Sequence, residues 1–265
     1  MMMERPATDG EPEAASIFFL RMMARTPDFH TIAGDMDQTL NYTSTLQTIT
    51  DLRGPAGRLE ALLNTGANTG APDAGYSVLV CHPHPLGGGT MHNKVVYHTM
   101  KAFQGLGLPV LRFNFRGTGL SEGEHDQGRG EQEDVRAALD WLEERFHLPT
   151  LFAGFSFGSY VGMRVCCSDS RVRGAVSLGL PVHADGRDYT YDFLCACEKP
   201  KLFVSGTRDQ YGPKAQVELV VAQASPPKTL VWVEEADHFF VGKLDEVQRA
   251  ITAWCSANFP DVAVQ

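Results

Sequence analysis

Short apolar runs alternate with amphipathic segments along most of this chain, and no other feature narrows its fold as much. "YSVLVCH" is an unbroken apolar run of the kind found in strands buried on both faces. "PVLRFNF", "TLFAGF", "RGAVSLGLPV", "KLFVSG" and "KTLVWVE" read as further strands. Between them, Val95, His98, Met100 and Phe103 lie near helical spacing. Val135, Ala138, Leu139, Leu142 and Phe146 follow the i, i+3, i+4, i+7 pattern of an amphipathic helix over 131–146. "SYVGMRVCC", "AQVELVVAQA" and "VGKLDEVQRAITAWCSA" predict further helices. Strand and helix in alternation build a mainly parallel sheet covered on both faces. Ahead of that pattern, "LQTITDL" and "GRLEALLN" flank the turn signal "RGPAG", which predicts an antiparallel hairpin at one edge.

With 43% hydrophobic residues in 265, one large core can form, so a single α/β domain is expected over 47–260. Residues 1–46 precede the pattern and read as an extension, either partly disordered or carrying a peripheral helix over 14–24. "SIFFL" within it is too short for a membrane span or an export-signal core. A net charge of −9 disfavours nucleic acid as a partner. The six cysteines include no C-x-x-C pair and have no histidine at zinc-ligand spacing. They read as reduced thiols in a cytoplasmic protein, with a disulfide between Cys195 and Cys197 as the alternative.

In such sheets reactive residues gather beyond the carboxyl ends of the strands. Ser156 stands at one such end, within Gly154-Phe155-Ser156-Phe157-Gly158. The pentapeptide alone is weak, since a serine at a Gly-rich junction also caps helices. Its context favours a nucleophile. A tight strand-to-helix turn lifts the hydroxyl above the sheet, and the flanking glycines let neighbouring backbone approach. A serine hydroxyl then needs a base. His238 in "VEEADHFFVG", directly after the last predicted strand, is placed for it; His30, His98, His125, His147 and His183 are not. The imidazole needs a carboxylate to orient it. Asp209 in "KLFVSGTRDQYGP" follows the penultimate strand and gives the chain order Ser, Asp, His. Asp185, Asp188 and Asp192 are fallback acids, and a turn-forming role is the alternative for Asp209.

Acyl transfer at a serine also needs donors for the developing oxyanion. The Phe157 amide, next to the nucleophile, is one candidate. The other is expected in "CHPHPLGGGTMHNK", where Pro83 and Pro85 lack an N–H and restrict the choice chiefly to His84 or Leu86. By analogy with His-Gly-x loops, His84 is preferred. His82 and His84 without a third ligand make a weak metal site, and neither metal nor cofactor is expected. The Gly-rich "RFNFRGTGLSEGEHDQGRGEQED" lacks the strand-turn-helix pattern of a phosphate loop and reads as a structural rim.

Together, "CHPHP…GGTM…NKVV", "RFNFRGTGLSEG", "GFSFG" and the terminal "DHFF" resemble the α/β-hydrolases, in particular small lidless bacterial serine hydrolases, over roughly residues 48–258. The resemblance implies an α/β-hydrolase fold: a mainly parallel eight-stranded sheet with helices on both faces. It also implies Ser156, Asp209 and His238 as a triad and hydrolysis of carboxylic esters. Gly87 departs from it, standing where a larger, often aromatic residue is expected, and "TRDQYGP" differs from the common "DE-x-V-x-P" acid loop. Only "HADGRDYTYDFLCACEKP" separates two late strands, too little for a large cap domain. An open site for small or short-acyl esters is therefore expected, with Tyr189, Tyr191 and Phe193 as an apolar wall. A thioesterase or peptidase using the same residues, or a silent binding module, are the alternatives.

Overall fold

Every predicted strand forms, and successive residues along the central ones face opposite sides of one sheet. The computed structural model describes residues 45–65, 75–183, 187 and 189–262. The expected extension over 1–46 lies outside them, except for its last two residues. The leading hairpin consists of β1 (Thr45–Ile49) and β4 (Ala61–Thr65), paired antiparallel. The turn between them carries its own small ribbon, β2 (Arg53–Gly54) with β3 (Gly57–Arg58).

The remaining strands are β5 (Ser77–Cys81), β6 (Val110–Phe113), β7 (Thr150–Phe155), β8 (Val172–Leu178), β9 (Lys201–Gly206) and β10 (Lys228–Val233). The eight-stranded sheet has the order β1-β4-β6-β5-β7-β8-β9-β10. Its neighbours from β6 to β10 pair parallel, while β4 runs against both β1 and β6. From β5 the chain moves outward to β6, then crosses back to β7 on the other side of β5. The order therefore reverses between β5 and β7, which opens a crevice beyond their carboxyl ends.

Helices α1 (Lys94–Gly105) and α5 (Leu244–Asn258) cover one face; α2 (Arg129–Phe146), α3 (Phe157–Cys166) and α4 (Lys214–Gln223) cover the other. Val78 and Val80 of β5 pack with Val96, Met100 and Ile251 on the first face. Leu79 and Cys81 pack with Val135, Leu139 and Val161 on the second. The two-sided burial explains why the central strands lack polar alternation. Two helix starts have visible causes. Asn93 Oδ1 accepts the Val95 amide at 2.9 Å to begin α1. Ahead of α2, the buried Glu131 carboxylate accepts the amides of Asp126 and Gly128 at 2.8 and 2.7 Å.

Some boundaries differ from the sequence expectation. β6 ends at Phe113; the next residue, Asn114, still donates its amide to the Glu60 carbonyl at 2.8 Å while its side chain reaches the Met91 amide and the Glu60 carboxylate. α3 starts at Phe157 because Ser156 already turns the chain out of the strand. Among its described residues, the connection from β8 to β9 holds one short 3-10 turn, Asp192–Ala196, and no large cap. All six cysteines are free thiols, so the alternative Cys195–Cys197 disulfide is not formed; Cys195 is exposed and Cys197 buried. Among the described residues, no helix is long and apolar enough to cross a membrane.

Candidate active site

The crevice between β5 and β7 is where the chemistry-bearing side chains meet. Ser156 sits at the junction of β7 and α3 with φ 54° and ψ −123°, a conformation that L-residues rarely adopt. Its amide bonds the Leu178 carbonyl at 2.9 Å, which ties the turn to β8. A Cβ on Gly154 would lie 2.6 Å from the Gly158 carbonyl oxygen, and one on Gly158 only 2.3 Å from the His82 carbonyl oxygen. Both positions therefore require glycine, because backbone touches backbone there.

His238 and Asp209 converge on this turn from the ends of β10 and β9. The His238 Nε2 atom lies 2.9 Å from Ser156 Oγ, and its Nδ1 lies 2.8 Å from Asp209 Oδ2. A carboxylate can only accept, so Nδ1 donates to Asp209 and Nε2 is left to accept from the serine hydroxyl. Asp209 Oδ1 is held in turn by the amides of Tyr211 and Gly212, at 2.8 and 3.1 Å. Both Asp209 and His238 are buried. The imidazole is clamped by the rings of Tyr211, Phe155 and Phe239, with centroids 4.7, 5.0 and 5.3 Å away. Gly179 (φ 54°) leaves the room: a Cβ there would stand 3.2 Å from His238 Cε1.

Of the fallback acids, Asp192 is exposed at the start of the 3-10 turn, and Asp185 and Asp188 lie outside the described residues. Elsewhere, His98 Nδ1 lies 2.8 Å from the Gln248 side chain, and His125 Nδ1 lies 2.7 Å from Glu131 Oε1.

The loop after β5 separates the two candidate amides. Leu86 donates its N–H to His84 Nδ1 at 3.1 Å, so that amide is occupied. The His84 carbonyl accepts from Gly87 and Gly89, both at 3.0 Å, which curls the loop over the serine. Neither the His84 nor the Phe157 amide has an acceptor among the described residues, and Phe157 opens α3, where N–H groups are left over by the helix itself. His82 has both ring nitrogens engaged: Nε2 accepts the Phe115 amide at 3.0 Å and Nδ1 donates to the Pro83 carbonyl at 2.6 Å. Burial holds His82 at a pKa of about 4. His84 is also lowered to about 4, by burial first and then by the positive charge of Arg187. Both rings are thus neutral at pH 7.

The Gly-rich segment after β6 braces this loop. Asn114 Oδ1 accepts the Met91 amide at 2.8 Å, and Ser121 Oγ donates to the Asn114 carbonyl at 2.6 Å. Arg116 pairs with buried Asp134 at 2.7 Å. Burial raises the Asp134 pKa, outweighing its bonds to Arg116. Asp134 in turn raises the pKa of Arg116.

A cavity of about 150 Å³ opens beside Ser156 and His238. Tyr189 lines it as expected, but Tyr191 and Phe193 do not. Tyr191 is buried with its hydroxyl donating to the Pro181 carbonyl at 2.6 Å, and Phe193 packs under the Arg164 guanidinium. Pro181, Tyr211, Phe239 and Arg187 form wall that the sequence reading missed. A usable signal existed for Tyr211 and Phe239, since they sit beside Asp209 and His238; Arg187 looks like any loop charge. Gly87 also lines the cavity, and the nearest atom to a Cβ there would be 4.0 Å away. Its lack of a side chain widens the site.

Comparison with known proteins agrees with the fold. The model of the alpha/beta hydrolase domain matches residues 77–254. The chain belongs to that family. An uncharacterized protein of Rickettsia prowazekii is 36% identical over 205 residues, covering 75% of this chain and 84% of its own length. This α/β-hydrolase also resembles an alpha-beta serine hydrolase homologue from Coxiella burnetii (37% identity, TM-score 0.69), over 78% of this chain and 96% of that one. A serine hydrolase without lid from Xanthomonas campestris is 31% identical with TM-score 0.68, over 81% and 94% of the two chains.

Proposed function

We propose that this α/β-hydrolase cleaves small or short-acyl carboxylic esters through an acyl-enzyme. The observation that carries the proposal is the continuous chain from Ser156 Oγ through His238 to Asp209, with steps of 2.9 and 2.8 Å at a strained elbow. Ser156 attacks the ester carbonyl while His238 Nε2 takes its proton, and Asp209 stabilises the imidazolium. The amides of Phe157 and His84 hold the oxyanion, each contributing about 3–4 kcal/mol to transition-state binding. The protonated His238 then delivers its proton to the leaving alcohol and next activates a water for deacylation.

The size of the cavity supports a small substrate, since a space of about 150 Å³ accommodates a ring the size of benzene. The short β8–β9 connection supports access from solvent. The lidless serine hydrolase among the relatives supports the same reaction class. Purified protein is expected to turn over p-nitrophenyl acetate and butyrate and to be labelled by a fluorophosphonate. Ser156→Ala should abolish both. Unchanged turnover in that variant would end the proposal.

A further inference from the structure

The cavity beside Ser156 carries one charge that the reaction itself does not use. Arg187 is exposed to solvent yet lines the same cavity as Ser156 and His238. The Tyr189 ring lines the same wall. Among the described residues Arg187 makes no ion pair, unlike Arg116, Arg171 and Arg208. Among the described residues no aspartate or glutamate lines the cavity; Asp209 stands behind the imidazole. The other ionisable wall groups described are two histidines and two tyrosines, and His84 is kept neutral. The N-terminus of α3 also ends at Ser156 and adds positive potential there. In a chain of net charge −9, the described lining thus carries a positive charge.

We infer that Arg187 selects esters that carry a carboxylate close to the scissile bond. This rests on the esterase reading of the same site. A planar guanidinium matches a carboxylate in two parallel hydrogen bonds, and a cavity of this size brings that carboxylate within reach while the ester meets Ser156. Neutral esters of the same shape gain nothing from it. The charge sits at a solvent-exposed rim, so added salt weakens the preference.

The test compares isosteric pairs in the full chain. Monoethyl succinate against ethyl isocaproate places the carboxylate on the acyl side. Para-acetoxybenzoate against para-isopropylphenyl acetate places it on the leaving group. The readout is the anionic-to-neutral ratio of kcat/KM, which is insensitive to any general loss of activity. In at least one pair the wild-type ratio is expected to exceed that of Arg187→Gln by about tenfold, to be partly restored by Arg187→Lys, and to fall as salt is added. Equal ratios in wild type and Arg187→Gln for both pairs would overturn the inference while leaving the esterase reading intact. Should no ester turn over, the esterase reading fails, and calorimetry with benzoate and benzamide then decides the inference. Benzoate binding that is weaker in Arg187→Gln supports the anion site, and binding unaffected by the substitution overturns it.

Discussion

Gly179→Ala separates the chemistry of the site from the stability of the sheet. Gly179 follows β8 with φ 54°, a conformation that an L-residue adopts at a strain of about 1–2 kcal/mol. The new Cβ would stand 2.9 Å from Phe155 Cε2, and 3.2 and 3.3 Å from His238 Cε1 and Nδ1. Carbon atoms settle at about 3.5–4.0 Å, so both rings have to yield. Overpacking of this kind costs about 1–3 kcal/mol, which makes the total about 2–5 kcal/mol. For a domain of this size that lowers Tm by about 4–20 °C. The imidazole moves by a few tenths of an ångström away from the line between Ser156 and Asp209. A misplacement of about 1 Å costs roughly 100-fold in rate, so a loss of about 3- to 10-fold in kcat is expected. Thermal melts followed by circular dichroism and kcat on p-nitrophenyl acetate measure the two effects. Gly105→Ala is the control, because a Cβ there meets nothing within 4 Å. A Gly179→Ala protein with wild-type kcat and Tm would refute the claim that this glycine makes room for His238.

The His84 backbone, at φ −56° and ψ 124°, already suits proline. His84→Pro should therefore delete the N–H with the loop retained and lower kcat about 100- to 1000-fold relative to His84→Ala, which keeps the amide. Equal rates in the two variants would remove His84 from the oxyanion site. Buried His82 has a folded pKa of about 4 against an ordinary value of 6.5, so its contribution to stability is complete above pH 6.5 and is lost as pH falls toward 4. Linkage gives a loss of about 2 kcal/mol between pH 7 and 5, which His82→Gln should largely abolish in urea titrations at the two pH values. Asp134→Ala strands the Arg116 charge and should destabilise the protein by about 3–5 kcal/mol, whereas Arg116→Met with Asp134→Leu should recover most of it. A single variant as stable as wild type in denaturant titration contradicts that account.

The sheet and the three residues at its strand ends were legible because both rest on local pattern. An apolar run ended by a Gly-rich turn marks a strand whose loop lies at the carboxyl edge, whatever the rest of the chain does. The residues alone left His84 and Leu86 open, with His84 preferred only by analogy, since the difference depends on an imidazole folding back onto an amide two residues later. The wall was misread for a similar reason. Tyr191 and Phe193 are aromatic and lie in the right connection, but a bond to the Pro181 carbonyl and packing under Arg164 turn them away from the cavity. Gly179 was hidden inside "SLGLPV", which reads as uninterrupted strand although the strand stops at Leu178. A lone glycine within an apolar run was the available warning.

The contact between Gly158 and the His82 carbonyl has a consequence for how this site tolerates change. The Phe157 amide belongs to the residue just before Gly158, and the His84 amide lies two residues beyond His82. Main-chain atoms in van der Waals contact set that separation, with no side chain in between to shrink, rotate or be replaced. Substitutions along the cavity wall, from Gly87 to Arg187, can then retune which molecules enter while the gap between the two donors stays the same.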